Sequence, residues 1–248
     1  MSGVLSVLVG DNAAAAGGSW TPASASGGLS FWFDATDNST VLKTGLVPAG
    51  STDSVVQWSD KSGNARDLTE ATVGKQPKYK TSGSLNSLQG VAFDSVDDYL
   101  QSTSFSQAQS FMIVCVQKGV DVYYSIYCGS VGGSVRPLLQ GDDGNSKILK
   151  MYNGTISSGA APSSSGSAFY GVFNNTTSAT RITGQSEVTG SIGTTNGISG
   201  GIFMGSSAGG NVEALGCDMN ELFCMISPSG TDKTNALSYV ATKWGLTW

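Results

Sequence analysis

From Leu29 onward the chain is a succession of short apolar or alternating runs, set apart by turn-forming Gly, Asn, Asp and Ser at spacings of roughly 8–15 residues. Runs this short cannot form stable helices by themselves, and a lone strand leaves its backbone donors and acceptors unpaired. The pattern therefore predicts an all-β chain of two packed antiparallel sheets. Candidate strands are Leu29–Phe33, Val55–Trp58, Gly90–Phe93, Tyr99–Gln101, Ser110–Lys118, Val122–Cys128, Pro137–Gln140, Lys147–Tyr152, Ala168–Phe173, Thr180–Ile182, Gly201–Met204 and Cys217–Ile226. A length of 248 residues suits one large sandwich, and 39% hydrophobic residues suffice for its core. The 34 glycines show no collagen period, so they read as turns between strands.

Two segments depart from this pattern. Thr231 to Trp244 reads as a helix, because Leu237, Val240, Ala241 and Trp244 fall at i, i+3, i+4 and i+7. Ser229 or Thr231 can cap it, Asp232 suits its first turn, and Gly245 stops it. Trp244 is expected to staple the helix to the sandwich. Residues 1–28, with Ala13-Ala-Ala-Ala16, Gly17-Gly18 and few charges, read as an N-terminal arm or linker ahead of a domain at 29–248.

The charge pattern and the residues that are missing exclude several functions. With a net charge of −5 and no run of basic residues among 13 Lys+Arg, a nucleic-acid partner is not expected. No apolar run reaches the ~18 residues of a membrane span. The opening Met1–Gly10 lacks a basic n-region, so the expectation is a protein that folds where it is made. There is no histidine, which removes the commonest general base and transition-metal ligand. Cys115, Cys128, Cys217 and Cys224 form no CxxC pair and are expected to be buried free thiols.

Several motifs, taken in order, carry a resemblance. Trp32-Phe-Asp-Ala-Thr-Asp37 precedes Val56-Gln-Trp-Ser-Asp-Lys-Ser-Gly-Asn64; then come Gln76-Pro77, Val91-Ala-Phe-Asp94 and Asp97-Asp-Tyr-Leu100. Arg181-Ile-Thr-Gly-Gln185, Phe203-Met-Gly205 and the Lys243-Trp-Gly-Leu246 ending follow. Together these resemble concanavalin A-like (laminin G-type) jelly-roll domains of phage structural and bacterial surface proteins, over residues 29–246. The resemblance implies a two-sheet jelly-roll sandwich with a short C-terminal helix. It also implies a calcium ion at the sandwich rim in many members, and a binding role more often than a chemical one.

No catalytic set emerges from the residues. Retaining glycosidases with this fold carry E-x-D-x-x-E on one strand, with carboxylates ~5–5.5 Å apart. The corresponding stretch, Gly216-Cys-Asp-Met-Asn-Glu221, has glycine where the nucleophile belongs. Asp218 and Glu221 are three apart, which on a regular strand puts them on opposite faces. A serine triad lacks its histidine. For calcium, Asp94, Asp97 and Asp98 rank first, ahead of Asp34 with Asp37, Asp60 to Asn64, and Asp142-Asp143. Asp60, Ser62 and Asn64 imitate the start of an EF-hand loop, but Gly63 and Ala71 break the match. For sugars, Tyr123, Tyr124, Tyr127 and Tyr152 are candidate stacking rings.

The leading expectation is a non-enzymatic phage or virus structural protein, on the capsid or tail surface, docking to other virion proteins through its arm and binding a host-surface glycan. Such a protein is expected to be a homo-oligomer, with a trimer the first guess. It needs no cofactor beyond Ca²⁺. The alternative is a bacterial surface or secreted carbohydrate-binding module, calcium-dependent if the acidic turn is occupied. A divergent glycan hydrolase is the third reading.

Overall fold

The computed structural model describes residues 19–108, 110–119, 125–127, 138–140, 150–152, 156–158, 163–174, 177–191, 199–205 and 215–248. In chain order the first strands are β1 (Leu29–Asp34), β2 (Val41–Lys43), β3 (Val47–Pro48), β4 (Gln57–Trp58), β5 (Leu68–Thr69), β6 (Lys78–Lys80), β7 (Gly90–Ala92) and β8 (Leu100–Gln101). Next come β9 (Phe105–Ser106), β10 (Phe111–Lys118), β11 (Ser125–Tyr127), β12 (Leu138–Gln140), β13 (Lys150–Tyr152) and β14 (Ile156–Ser158). The last are β15 (Ser167–Phe173), β16 (Ser178–Ile182), β17 (Val188–Gly190), β18 (Ser199–Gly200), β19 (Phe203–Met204) and β20 (Asp218–Ile226), and α1 (Gly230–Trp244) follows.

Two antiparallel sheets form the sandwich. The larger has eight strands in the order β17-β16-β15-β10-β20-β7-β6, with β1 also paired to β20. The second runs β19-β8-β5-β4-β2-β3. β20 is central: β10 lies along one side, while β7 takes Asp218 and Met219 on the other and β1 takes Glu221 to Met225. Two smaller sheets run β11-β12-β13-β14 and β18-β9.

The apolar run Phe111-Met-Ile-Val-Cys-Val does not alternate because both faces of β10 are buried. Phe111, Ile113 and Cys115 enter the core between the sheets with Phe31, Phe33, Trp58, Leu100, Phe169 and Leu222. Met112, Val114 and Val116 face the other way, into a second core with Trp32, Tyr170, Phe223 and Met225 that the helix covers.

Helix α1 forms as its sequence predicts. Ser229 Oγ accepts from the Asp232 amide at 3.0 Å and the Asp232 carboxylate accepts from the Ser229 amide at 2.9 Å, a reciprocal capping box. Gly245 ends the helix with φ +66°. Ala236, Val240 and Trp244 are buried against the large sheet, so Trp244 does staple the helix down. Residues 19–28 also lie on this side. Ser26 donates its amide and hydroxyl to Asp232, and Trp20 meets Tyr239 edge-on at 5.9 Å between ring centroids. Cys115, Cys217 and Cys224 are buried free thiols, whereas Cys128 lies outside the described residues.

One local expectation is corrected. β20 carries a bulge, with the register against β10 shifting between Met219 and Glu221. Met219 and Leu222 both enter the inter-sheet core although they are three apart. Asn220 and Glu221 therefore both point away from it, and regular alternation does not apply to the Asp218–Glu221 pair.

Candidate functional site: an acidic turn beside a polar groove

The turn between β7 and β8 gathers three carboxylates. Asp94 Oδ1 accepts from the amides of Val96 at 2.8 Å, Asp97 at 3.3 Å and Asp98 at 3.4 Å, and Asp98 Oδ2 accepts in return from the Asp94 amide at 3.1 Å. Ser95 completes the turn with φ +66°. One oxygen from each of Asp94, Asp97 and Asp98 lies within 4.8 Å of the others. Asp98 is 5% exposed. Burial first, and then the neighbouring charge of Asp94, push its carboxyl up to about 7; the hydrogen bond from the Asp94 amide, and more weakly Lys78, offset this only in part. Behind the turn, Gly205 sits at φ +108°, where a β-carbon would run into the Asp98 carbonyl.

Three carboxylates this close, one of them buried, repel one another unless a proton or a cation sits between them. That donor set suits Ca²⁺, which takes six to eight oxygens in a flexible shell, with carbonyls and waters completing it. The other calcium candidates are engaged differently. The Asp60 carboxylate accepts from the Trp32, Ser62 and Arg66 amides, and Asn64 donates to the Leu29 and Ser30 carbonyls, so that turn braces β1. Lys61 pairs with both Asp34 and Asp37. Asp142 and Asp143 lie outside the described residues.

Asp94 also lines a polar groove of about 460 Å³, shared with Lys80, Phe93, Lys118, Ser164 and Asp218. Lys80 reaches Asp218 at 2.7 Å, and Lys118 donates to the Gly83 and Ser84 carbonyls. These side chains come from β6, β10 and β20 and from the loops beyond β7 and before β15, so only strand pairing brings them together. No sequence signal marks Lys80 or Lys118. Of the sequence-predicted tyrosines, Tyr123 and Tyr124 lie outside the described residues. Tyr127 falls in β11 opposite Leu139, and Tyr152 in β13 opposite Leu138; their side chains are outside the description.

Glu221, the carboxylate that invites a catalytic reading, is fully buried beneath α1. Its Oε1 accepts from Trp32 Nε1 at 2.8 Å and Tyr239 Oη at 2.7 Å; its Oε2 accepts from Trp244 Nε1 at 2.7 Å and pairs with Lys243 Nζ at 3.2 Å. Asp34, directly opposite in register, takes Lys243 at 2.8 Å and Lys61 at 3.1 Å. Burial raises the Glu221 carboxyl above its ordinary range, with Lys243 opposing. At Asp34 the Lys243 and Lys61 contacts outweigh burial and hold the carboxyl below its ordinary value. These groups lock the helix to the sheet, and every donor around Glu221 comes from the protein itself.

No known protein family matches the sequence, and no curated protein matches it. Solved structures do match. A glutamate-to-glutamine variant of a GH54 α-L-arabinofuranosidase, soaked with 4-nitrophenyl α-L-arabinofuranoside, aligns with a TM-score of 0.60 at 15% identity over 78% of this chain and 52% of its own. Domain 4 of AbnA, a GH43 extracellular arabinanase from Geobacillus stearothermophilus in complex with arabinotriose, aligns at 0.58 and 13%, over 84% of this chain and 98% of the domain. A Trypanosoma rangeli sialidase aligns at 0.56 and 11%, over 87% of this chain and 33% of the sialidase. The chain thus spans about half of the arabinofuranosidase but nearly all of the arabinanase domain. At these identities the likeness establishes a shared β-sandwich fold.

These neighbours correct the leading expectation. The neighbours named above are an arabinofuranosidase, an arabinanase domain and a sialidase, and none of the three is a phage or virus structural protein. Among the described residues, no helix is long and apolar enough to cross a membrane.

Proposed function

We propose that this protein is a non-catalytic carbohydrate-binding module that seats a glycan chain along the polar groove, with Ca²⁺ held in the turn of Asp94, Asp97 and Asp98. The groove carries the proposal. It places ammonium, carboxylate and hydroxyl groups of Lys80, Lys118, Asp94, Asp218 and Ser164 along one cavity, a donor and acceptor array suited to sugar hydroxyls. The fold it shares with a domain solved with arabinotriose supports the same ligand class, arabino-oligosaccharides in the first instance. The ion would neutralise the turn and fix the groove's rim; Asp94 Oδ1 and Asp98 Oδ2 already accept backbone amides, so the other oxygens of Asp94 and Asp98 and the Asp97 carboxylate would face the metal.

Glu221 is shielded from substrate, and glycine replaces the expected nucleophile at position 216, which supports binding without turnover. The test is calorimetric titration of the intact chain with arabinotriose, with calcium and with chelator, alongside an assay for reducing ends released from arabinan. Binding that weakens on chelation and in Asp97→Ala, with no release of reducing ends, is the expected result. Release of reducing ends would overturn the non-catalytic reading, and absence of binding to arabinotriose and across a glycan array would overturn the carbohydrate reading.

A further inference from the structure

Apart from the groove, a pocket of about 240 Å³ opens between Trp20 and the outward face of α1. Ser19, Asn235, Ser238 and Thr242 line it, with Tyr239 and Lys243 at its base. Asn235, Ser238 and Thr242 fall at i, i+3 and i+7, one row along the helix. Among the described residues their side chains make no hydrogen bond, and neither does the Trp20 indole N–H, so this row of donors and acceptors is uncommitted there. A half-buried indole beside a row of free amide and hydroxyl groups is the combination a sugar ring uses, with C–H faces against the aromatic and hydroxyls toward the polar groups.

We propose that this pocket is a second carbohydrate subsite that takes a single neutral sugar ring. It rests on the carbohydrate-binding reading and adds a site that shares no lining residue with the groove. Size sets the single ring: pockets for drug-sized ligands run to ~300–1,000 Å³, and this one is smaller. Neutrality follows from Lys243. Its ammonium donates to Asp34 Oδ1 at 2.8 Å and Tyr239 Oη at 3.0 Å and is ion-paired with Glu221 Oε2 at 3.2 Å. Its charge is already balanced by Asp34 and Glu221, so it offers no unpaired cation to a sugar carboxylate.

The test uses the full chain, titrated with arabinotriose and separately with glucuronate, reading stoichiometry by calorimetry and site occupancy by tryptophan fluorescence. Two arabinotriose sites per chain are expected. Trp20→Ala should weaken one of them about tenfold and leave the groove site unchanged. Asn235→Ala with Thr242→Ala, at outward helix positions where alanine favours the helix, should do the same without lowering the thermal midpoint. A single site, lost in Asp97→Ala and indifferent to both of these variants, would overturn the pocket while leaving the proposed function standing. No binding at all would overturn both. Glucuronate binding that disappears in Trp20→Ala would overturn the assignment of a neutral sugar.

Discussion

Substituting Glu221→Gln tests whether the buried ionic cluster is what fastens α1 to the sandwich. Three donors and one counter-charge converge on two carboxylate oxygens: the Trp32 and Trp244 indoles and the Tyr239 hydroxyl donate, and the Lys243 ammonium is ion-paired at 3.2 Å. Glutamine keeps the volume but turns one oxygen into an NH₂. Either the Trp32–Tyr239 pair or the Trp244–Lys243 pair then faces a donor, and an indole N–H cannot reverse its role. Removing one partner of a buried ion pair costs ~3–5 kcal/mol. Because Asp34 still holds Lys243, the lower end, ~3 kcal/mol, is expected. In a chain of this size each kcal/mol moves the thermal midpoint by ~2–4 °C, so a fall of roughly 10 °C follows. Calorimetric or circular-dichroism melts at pH 7 measure it. A second substitution, Lys243→Met, should cost less in this background than in the native protein, since the two residues share one network. A Glu221→Gln midpoint within about 2 °C of the unmodified protein would refute the reasoning, and so would strict additivity of the two substitutions.

Two further perturbations bear on the turn and the helix cap. In the calcium-free protein the Asp98 carboxyl stands at about 7 against an ordinary value of 3.8, so between those limits the folded chain holds a proton that the unfolded chain releases. Stability should therefore fall as pH rises from 4 to 7, and Asp98→Asn should flatten that slope in urea-unfolding series; a slope unchanged by the substitution would show that Asp98 is not its source. Adding calcium at pH 7.5 should restore stability in the native protein but not in Asp97→Ala. Ser229→Ala removes the helix cap and should cost ~1 kcal/mol, a fall of ~2–4 °C in the midpoint, with arabinotriose binding in the groove unchanged.

Much of the fold is legible in the sequence because it depends on local rules. Period-two runs and turn residues mark the strands. The Ser229–Asp232 box, the helical spacing of Val240 and Trp244, and Gly245 define α1 and its ends. Strands of two or three residues such as β3, β5 and β6 escape such reading, since a pair of residues carries no period and is a strand only because a neighbour hydrogen-bonds to it. The acidic turn is also legible, as Asp94, Asp97 and Asp98 lie within five residues of chain and need only one turn to meet.

What the tertiary structure alone decides is which distant groups share a cavity and which are shut away from solvent. Lys80, Lys118 and Asp218 are far apart in the chain and line one groove because β10 and β7 both pair with β20, and β6 with β7. On a regular strand Glu221 would face the side opposite Asp218. The bulge after Met219 turns it toward α1, where Trp32, Tyr239, Lys243 and Trp244 close over it. The composition excludes a histidine-based site from the outset, because that conclusion needs only the residue types present. Burial and proximity belong to the fold, because they arise from pairings between strands that sequence spacing does not encode.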